Sequence, residues 1–176
     1  PFTFGVNLVS ENITTMGPLS AVAVEDNVFW MGLKEFYVYG GTVQRLPCTV
    51  RDFVFDDFNI LQREKIVAAT NTAFSEIWWF YPSADSDNND RYVVYNYEQQ
   101  VWYYGAMARS FWMDRGIFDQ PIAAGPNNYL YSQETGFDDD GSALTAYIES
   151  SQIDIADGEQ FSFIRRMIPD LTFRGS

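Results

Sequence analysis

The chain has 176 residues, 47% hydrophobic and 18% aromatic, with 24 acidic against 11 basic side chains and a formal charge of −13. Such an acidic balance argues against an ordinary nucleic-acid binder, which needs a basic surface to neutralise phosphates. Histidine is absent and Cys48 is the only cysteine, which removes Ser-His and Cys-His catalysis, the usual zinc sites and any internal disulfide.

Residues 1–18 are mixed and end in Gly17-Pro18, in the manner of an arm or the tail of a preceding sheet. They contain no basic region followed by an apolar core, so no signal peptide is expected, and the chain reads as part of a longer one. Asn12-Ile13-Thr14 matches the glycosylation pattern and is read as a chance match. Ala21-Val22-Ala23-Val24 is a short apolar strand, followed by a Glu25-Asp26-Asn27 turn. Strands are predicted at Val28 to Met31, Phe36 to Tyr39 and Thr42 to Leu46, with Gly40-Gly41 as a two-residue hairpin turn in which both glycines take positive φ.

Pro47 to Gln62 interrupts the pattern as a connection holding a strand or short helix, with a loop and helical turn running on through Gln62-Arg63-Glu64-Lys65. Ile66-Val67-Ala68-Ala69 then restarts the cycle, with strands at Glu76 to Tyr81, Tyr92 to Tyr95 and Val101 to Tyr104. Pro82 to Asp90 is a surface loop, and Met107 to Asp114 a further strand. Pro121-Ile122-Ala123-Ala124 is read as a third restart, followed by Asn128 to Gln133, a long acidic loop at Gly136 to Gly141, and strands at Leu144 to Ser150, Phe161 to Ile164 and Leu171 to Phe173. No apolar run approaches the ~18 residues that cross a bilayer, so no membrane partner is expected.

Short aromatic strands with tight turns, recurring at roughly 45–55 residues, describe antiparallel meander repeats of β-propeller type. The expectation is one all-β domain over residues 1–176, with repeats at about 19–62, 63–118 and 119–173, forming part or a fragment of a propeller.

Chemical signatures are sparse, and no catalytic residue or cofactor site is assigned. Asp85, Asp87 and Asp90 lie in an oxygen-rich loop that would suit Ca²⁺. They lack the EF-hand spacing, and a solvated hairpin loop is the preferred reading, as it is for Asp138-Asp139-Asp140. Cys48, with no histidine partner, is read as a small apolar residue. Most tryptophans are expected in the core. Trp78 and Trp79 are the exception to examine, because neighbours on a strand point to opposite faces. If only one face is covered, one of them is exposed. Trp78, Trp79 and Trp102 are therefore the candidate interaction aromatics.

Ile77 to Ser83, Tyr92 to Tyr97 and Val101 to Gly105 resemble sequences of short-tailed bacteriophage tail proteins of the hub, nozzle or packaged-DNA-stabilising type. Phe29 to Gly32, Phe36 to Tyr39 and Val54 to Asn59 share the resemblance, which covers about residues 19–173. It implies a non-enzymatic virion protein, made in the host cytoplasm and assembled as a homo-oligomer with other tail or portal-adaptor proteins. Its part would be to line a DNA exit channel, retain the packaged genome and assist ejection, with DNA passing non-specifically. The alternative is a carbohydrate-binding or carbohydrate-cleaving propeller, such as a receptor-binding tail protein.

Overall fold

The computed structural model describes residue 5, residues 8–143 and residues 163, 165, 166 and 168. The strands expected at Leu144 to Ser150, Phe161 to Ile164 and Leu171 to Phe173, and most of the opening segment, lie outside the described residues. Where one domain was expected, contacts divide the chain into Pro1–Gly136 and Phe137–Ser176.

The first unit is nearly all-β and antiparallel. Strands β1 (Ala21–Val24), β2 (Asn27–Met31), β3 (Phe36–Tyr39) and β4 (Val43–Leu46) form a four-stranded meander. A second meander holds β5 (Val67–Asn71), β6 (Glu76–Tyr81), β7 (Arg91–Asn96) and β8 (Val101–Ala106). Between them, α1 (Arg51–Asp56) and a 3₁₀ segment at Ile60–Lys65 fill the expected connection. The helix buries Val54 in the core and lays Phe55 edge-on against Phe36, with centroids 5.5 Å apart.

The third sheet departs from expectation. Its strands are β9 (Phe111–Met113), β10 (Ile122–Ala124) and β11 (Leu130–Ser132), and β10 pairs with both neighbours. The third cycle thus starts at Phe111 and not at Pro121, and the expected boundary after residue 118 falls inside a sheet. The reason is Trp112, whose ring stacks on Trp78 at 5.4 Å and 13° and so ties β9 to the preceding sheet. First strands then begin at Ala21, Val67 and Phe111, a period of about 45 residues. They are also neighbours in space, β1 against β5 and β5 against β9.

The Gly40-Gly41 turn also differs. Only Gly41 has positive φ, at 93°, and the loop spans residues 40–42 between β3 and β4. Gly40 serves a close approach instead, since a Cβ there would sit 2.3 Å from Asn27 Oδ1. In the second unit, the expected loop holds a small hairpin, β12 (Asp138–Asp139) with β13 (Ser142–Ala143). Asp140 and Gly141, both at positive φ, turn it as two-residue hairpins require.

The sheets stack face to face. One core joins Phe29, Met31 and Phe36 of the first sheet to Ile77, Trp79, Tyr81 and Val93 of the second. A separate core joins Ala69, Trp78, Phe80 and Val94 of the second sheet to Trp112 and Ala123 of the third. Strand β6 therefore alternates strictly, Ile77, Trp79 and Tyr81 to one side, Trp78 and Phe80 to the other. Both faces of the middle sheet are buried, which is why β6 reads as a continuous apolar run.

Trp79 is fully buried and donates its indole N–H to the Ser20 carbonyl at 3.0 Å. Trp79→Ala removes that bond and opens a cavity beside Phe36, and is expected to cost about 3–5 kcal/mol. Trp79→Phe keeps most of the volume and loses the bond, but the Ser20 carbonyl keeps the Met31 N–H at 3.1 Å, so the cost should be smaller, about 0.5–1.5 kcal/mol. Urea unfolding of the two variants checks the order.

Candidate functional site

The aromatic candidates differ in burial. Trp79 is fully buried, Trp78 is 6% exposed, and Trp102 is half-buried with its indole N–H on the Pro47 carbonyl at 2.8 Å. Trp78 and Trp79 are buried because the sheets on either side cover both faces of β6. Trp102 packs between Phe36 and Tyr95, each at a centroid distance of 4.7 Å.

The carboxylates of the 82–90 loop do not converge. Asp90 folds back onto Ser83, accepting from its backbone N–H at 2.8 Å and its hydroxyl at 2.7 Å. Asp87 accepts from Gln62 Nε2 at 3.1 Å, while its carbonyl takes the Lys65 ammonium. No hydrogen bond is made by Asp85. Among the described residues no three His, Cys, Asp or Glu side chains are grouped to hold a metal. Burial pushes the Cys48 thiol up to about 12, which keeps it protonated at neutral pH.

The structure assembles a different set, at the end of the sheets where β5 turns into β6. Glu76 is at the first position of β6, opposite Asn71 of β5 and Asn96 of β7. One of its carboxylate oxygens accepts the Trp78 indole N–H at 2.8 Å, and the other accepts the Tyr103 hydroxyl. Glu134, just after β11, accepts from Asn71 Nδ2 at 3.2 Å. Asn71 is fully buried and its Oδ1 has no partner. Asp114, after β9, accepts from the Thr70 hydroxyl and the Thr72 N–H, both at 2.9 Å.

Burial raises the Glu134 carboxyl above its ordinary range, and the Glu76 charge adds to the effect, opposed by the Asn71 bond. The Tyr103 hydroxyl is pushed up by burial first and then by Glu76, so it remains a donor. The arrangement is a carboxylate pair whose oxygens brace three strands. Sequence reasoning missed it. Glu76 and Trp78 share a face by period two, but the Asn71 to Glu134 contact bridges 63 residues and leaves no local signal.

The same end gathers several acidic side chains. The turns there carry Glu25, Asp26, Glu98, Asp114, Asp119 and Glu134, and Arg115 is the one basic side chain among their described residues. Glu25 and Glu98 line a polar groove of about 640 Å³ with Thr70, Thr72, Ser75 and Tyr97. At the opposite end Lys34, Arg51, Arg63 and Lys65 are interspersed with acids, and Arg51 pairs with Glu35 at 3.1 Å.

Two measurements test these placements. Because the folded state holds the Glu134 proton more tightly than the unfolded chain, its contribution is present below the ordinary carboxylate range and is lost as pH rises through the raised value. The Tm of Glu134→Gln should therefore gain on that of the parent chain between about pH 4 and pH 7; a relative loss would reverse the assignment. In the loop, Asp90→Ala should cost about 1–3 kcal/mol by orphaning the Ser83 groups. Asp85→Ala should leave Tm unchanged, with or without Ca²⁺, and a Ca²⁺-dependent rise abolished by Asp85→Ala would restore the cation reading.

No protein-family model and no curated protein matches the chain.

Proposed function

We propose that the three sheets are blades of a propeller-type array and that the chain is a structural component of a short-tailed phage tail. In this reading it acts by assembly, as part of the hub or nozzle that surrounds the DNA exit path, with other copies and portal-adaptor proteins as partners. The observation that carries it is the stacking: successive meanders meet face to face while their first strands adjoin, as the inner strands of blades do around an axis. The resemblance of residues 77–83, 92–97 and 101–105 to such tail proteins supplies the biological context.

The charge supports the same reading. An acidic end with one basic side chain among its described residues offers phosphates little counter-charge. DNA would be repelled weakly and everywhere, and would slide without sticking. The bracing hydrogen bonds engage both oxygens of Glu76, and the Cys48 thiol stays protonated, which favours a scaffold over a catalyst. A carbohydrate-binding or carbohydrate-cleaving propeller is the second reading. It draws on the Glu76 and Glu134 pair beside the half-exposed Tyr103 ring.

Light scattering coupled to size exclusion, with a portal-adaptor protein added, separates the two. The tail reading expects a ring-forming, multi-copy complex, and no retention of duplex DNA at about 150 mM salt. A monomer that ignores the adaptor and binds or cleaves glycans, with Glu76→Gln abolishing the effect, would replace it with the carbohydrate reading.

A further inference from the structure

The seam between the second and third sheets brings two carboxylates together without a counter-charge. Glu76 opens β6 in the second sheet, and Glu134 follows β11 in the third. The Asn71 side chain links them. It is opposite Glu76 in the β5–β6 ladder, where paired Cβ atoms lie about 4.5–5.5 Å apart. Its Nδ2 is 3.2 Å from Glu134 Oε1. Among the described residues no Lys or Arg pairs with either carboxylate. The other polar groups facing the pair are Tyr92 and Asn96 of β7 and Tyr103 of β8, and none is a cation. Asn96 is committed to its own turn, donating to the Phe74 carbonyl and accepting from the Glu98 and Gln99 N–H groups.

Asn71 is fully buried, yet its Oδ1 has no partner. A buried amide oxygen without a donor or a cation is destabilising. The two ends of the amide exchange by a half-turn of its terminal torsion, which sets the oxygen where Nδ2 stands, 3.2 Å from Glu134 Oε1. Neighbouring oxygens around a cation at about 2.3–2.6 Å, separated by roughly 75–90°, lie about 2.8–3.7 Å apart. The spacing therefore suits two oxygens sharing one ion. Each Glu76 oxygen accepts one hydrogen bond, from Trp78 or from Tyr103, and keeps a lone pair for a metal. Two carboxylates and an amide, all oxygen donors from three chain segments, suit Ca²⁺ better than Mg²⁺, which demands a stricter octahedron.

We propose that this seam is a Ca²⁺ site, in which Glu76, Glu134 and the Asn71 amide oxygen hold one ion between the second sheet and the end of the third. Water completes the shell. The ion supplies the positive charge the pair lacks and ties the segment after β11 to β5 and β6. A proton on Glu134 competes with it, because the metal takes the ionised carboxylate. Burial and the Glu76 charge favour that proton when no ion is bound. The site is separate from the 82–90 loop and does not depend on the phage context.

The probe is Ca²⁺ as its chloride, added to the whole chain after EDTA treatment. At about pH 7, about 5 mM Ca²⁺ should raise Tm by at least about 3 °C, as a site with a Kd of about 0.1–1 mM would. The rise should shrink at about pH 5, where protons compete. Glu134→Gln should lose it, and its effect should change sign: in EDTA the variant gains on the parent at about pH 7, and in Ca²⁺ the parent gains on the variant. Asp85→Ala, in the 82–90 loop, should keep the full response. Circular dichroism establishes that Glu134→Gln is folded, and Glu76→Gln replaces it if it is not. An unchanged parent Tm in Ca²⁺ at about pH 7 overturns the proposal. So does a response that survives Glu134→Gln, one that Asp85→Ala abolishes, or one just as large at about pH 5. No outcome involves an adaptor, DNA or a glycan, so failure here is separate from failure of the tail reading.

Discussion

Adjacent residues on a strand cannot share a face, and β6 places Trp78 and Trp79 side by side. Burying both rings requires apolar cover on each side of the sheet. The first sheet provides one cover through Phe36 and the third provides the other through Trp112. Each close aromatic pair adds about 0.5–1.5 kcal/mol beyond its buried area. The same requirement explains why residues 111–113 join the third sheet and why β6 and β7 carry the most buried positions.

Aromatic burial supplies energy but little direction. Direction comes from the indole N–H groups. Trp79 reaches the Ser20 carbonyl ahead of β1, Trp102 reaches the Pro47 carbonyl after β4, and Trp112 reaches the Thr70 carbonyl within β5. Each of these bonds runs back to backbone of the sheet before it. A buried donor without a partner is destabilising by about 1–3 kcal/mol, so a slipped register would be penalised most at Trp79, whose bond is fully buried. The sheets are thereby held in one alignment, with their turns sorted to two ends. That sorting gathers carboxylates at one end and mixes charges at the other, although neither pattern is visible along the chain.

Much of the first eight strands was legible in the sequence, because aromatic and β-branched runs are bounded by Glu25-Asp26, Gly40-Gly41 and the 82–90 loop. The all-β class followed from the same runs. The strand at Phe111-Trp112-Met113 lies within the one expected at Met107 to Asp114, but it was assigned to the wrong cycle, because it owes its place in the third sheet to Trp78, far away in sequence. The Ala-rich segment at 121–124 imitated Ala21 to Val24 but occupies the second position of its sheet. Burial of Trp78 and Trp79 was left conditional on two-sided cover, and that cover is tertiary. The Glu76, Asn71 and Glu134 contacts were invisible for the same reason, since each partner comes from a different strand end.

The central claim is that the second sheet is dry on both faces and is the most stable part of the unit. Native-state hydrogen exchange read by NMR tests it most directly. The amides of Trp78, Trp79, Val93 and Val94 should exchange only through global unfolding, with protection matching the free energy from denaturant, and should be slower than those of β4 and β11. Exchange of the Trp78 and Val94 amides through a cheaper local opening, with Trp79 and Val93 still protected or not, would contradict it.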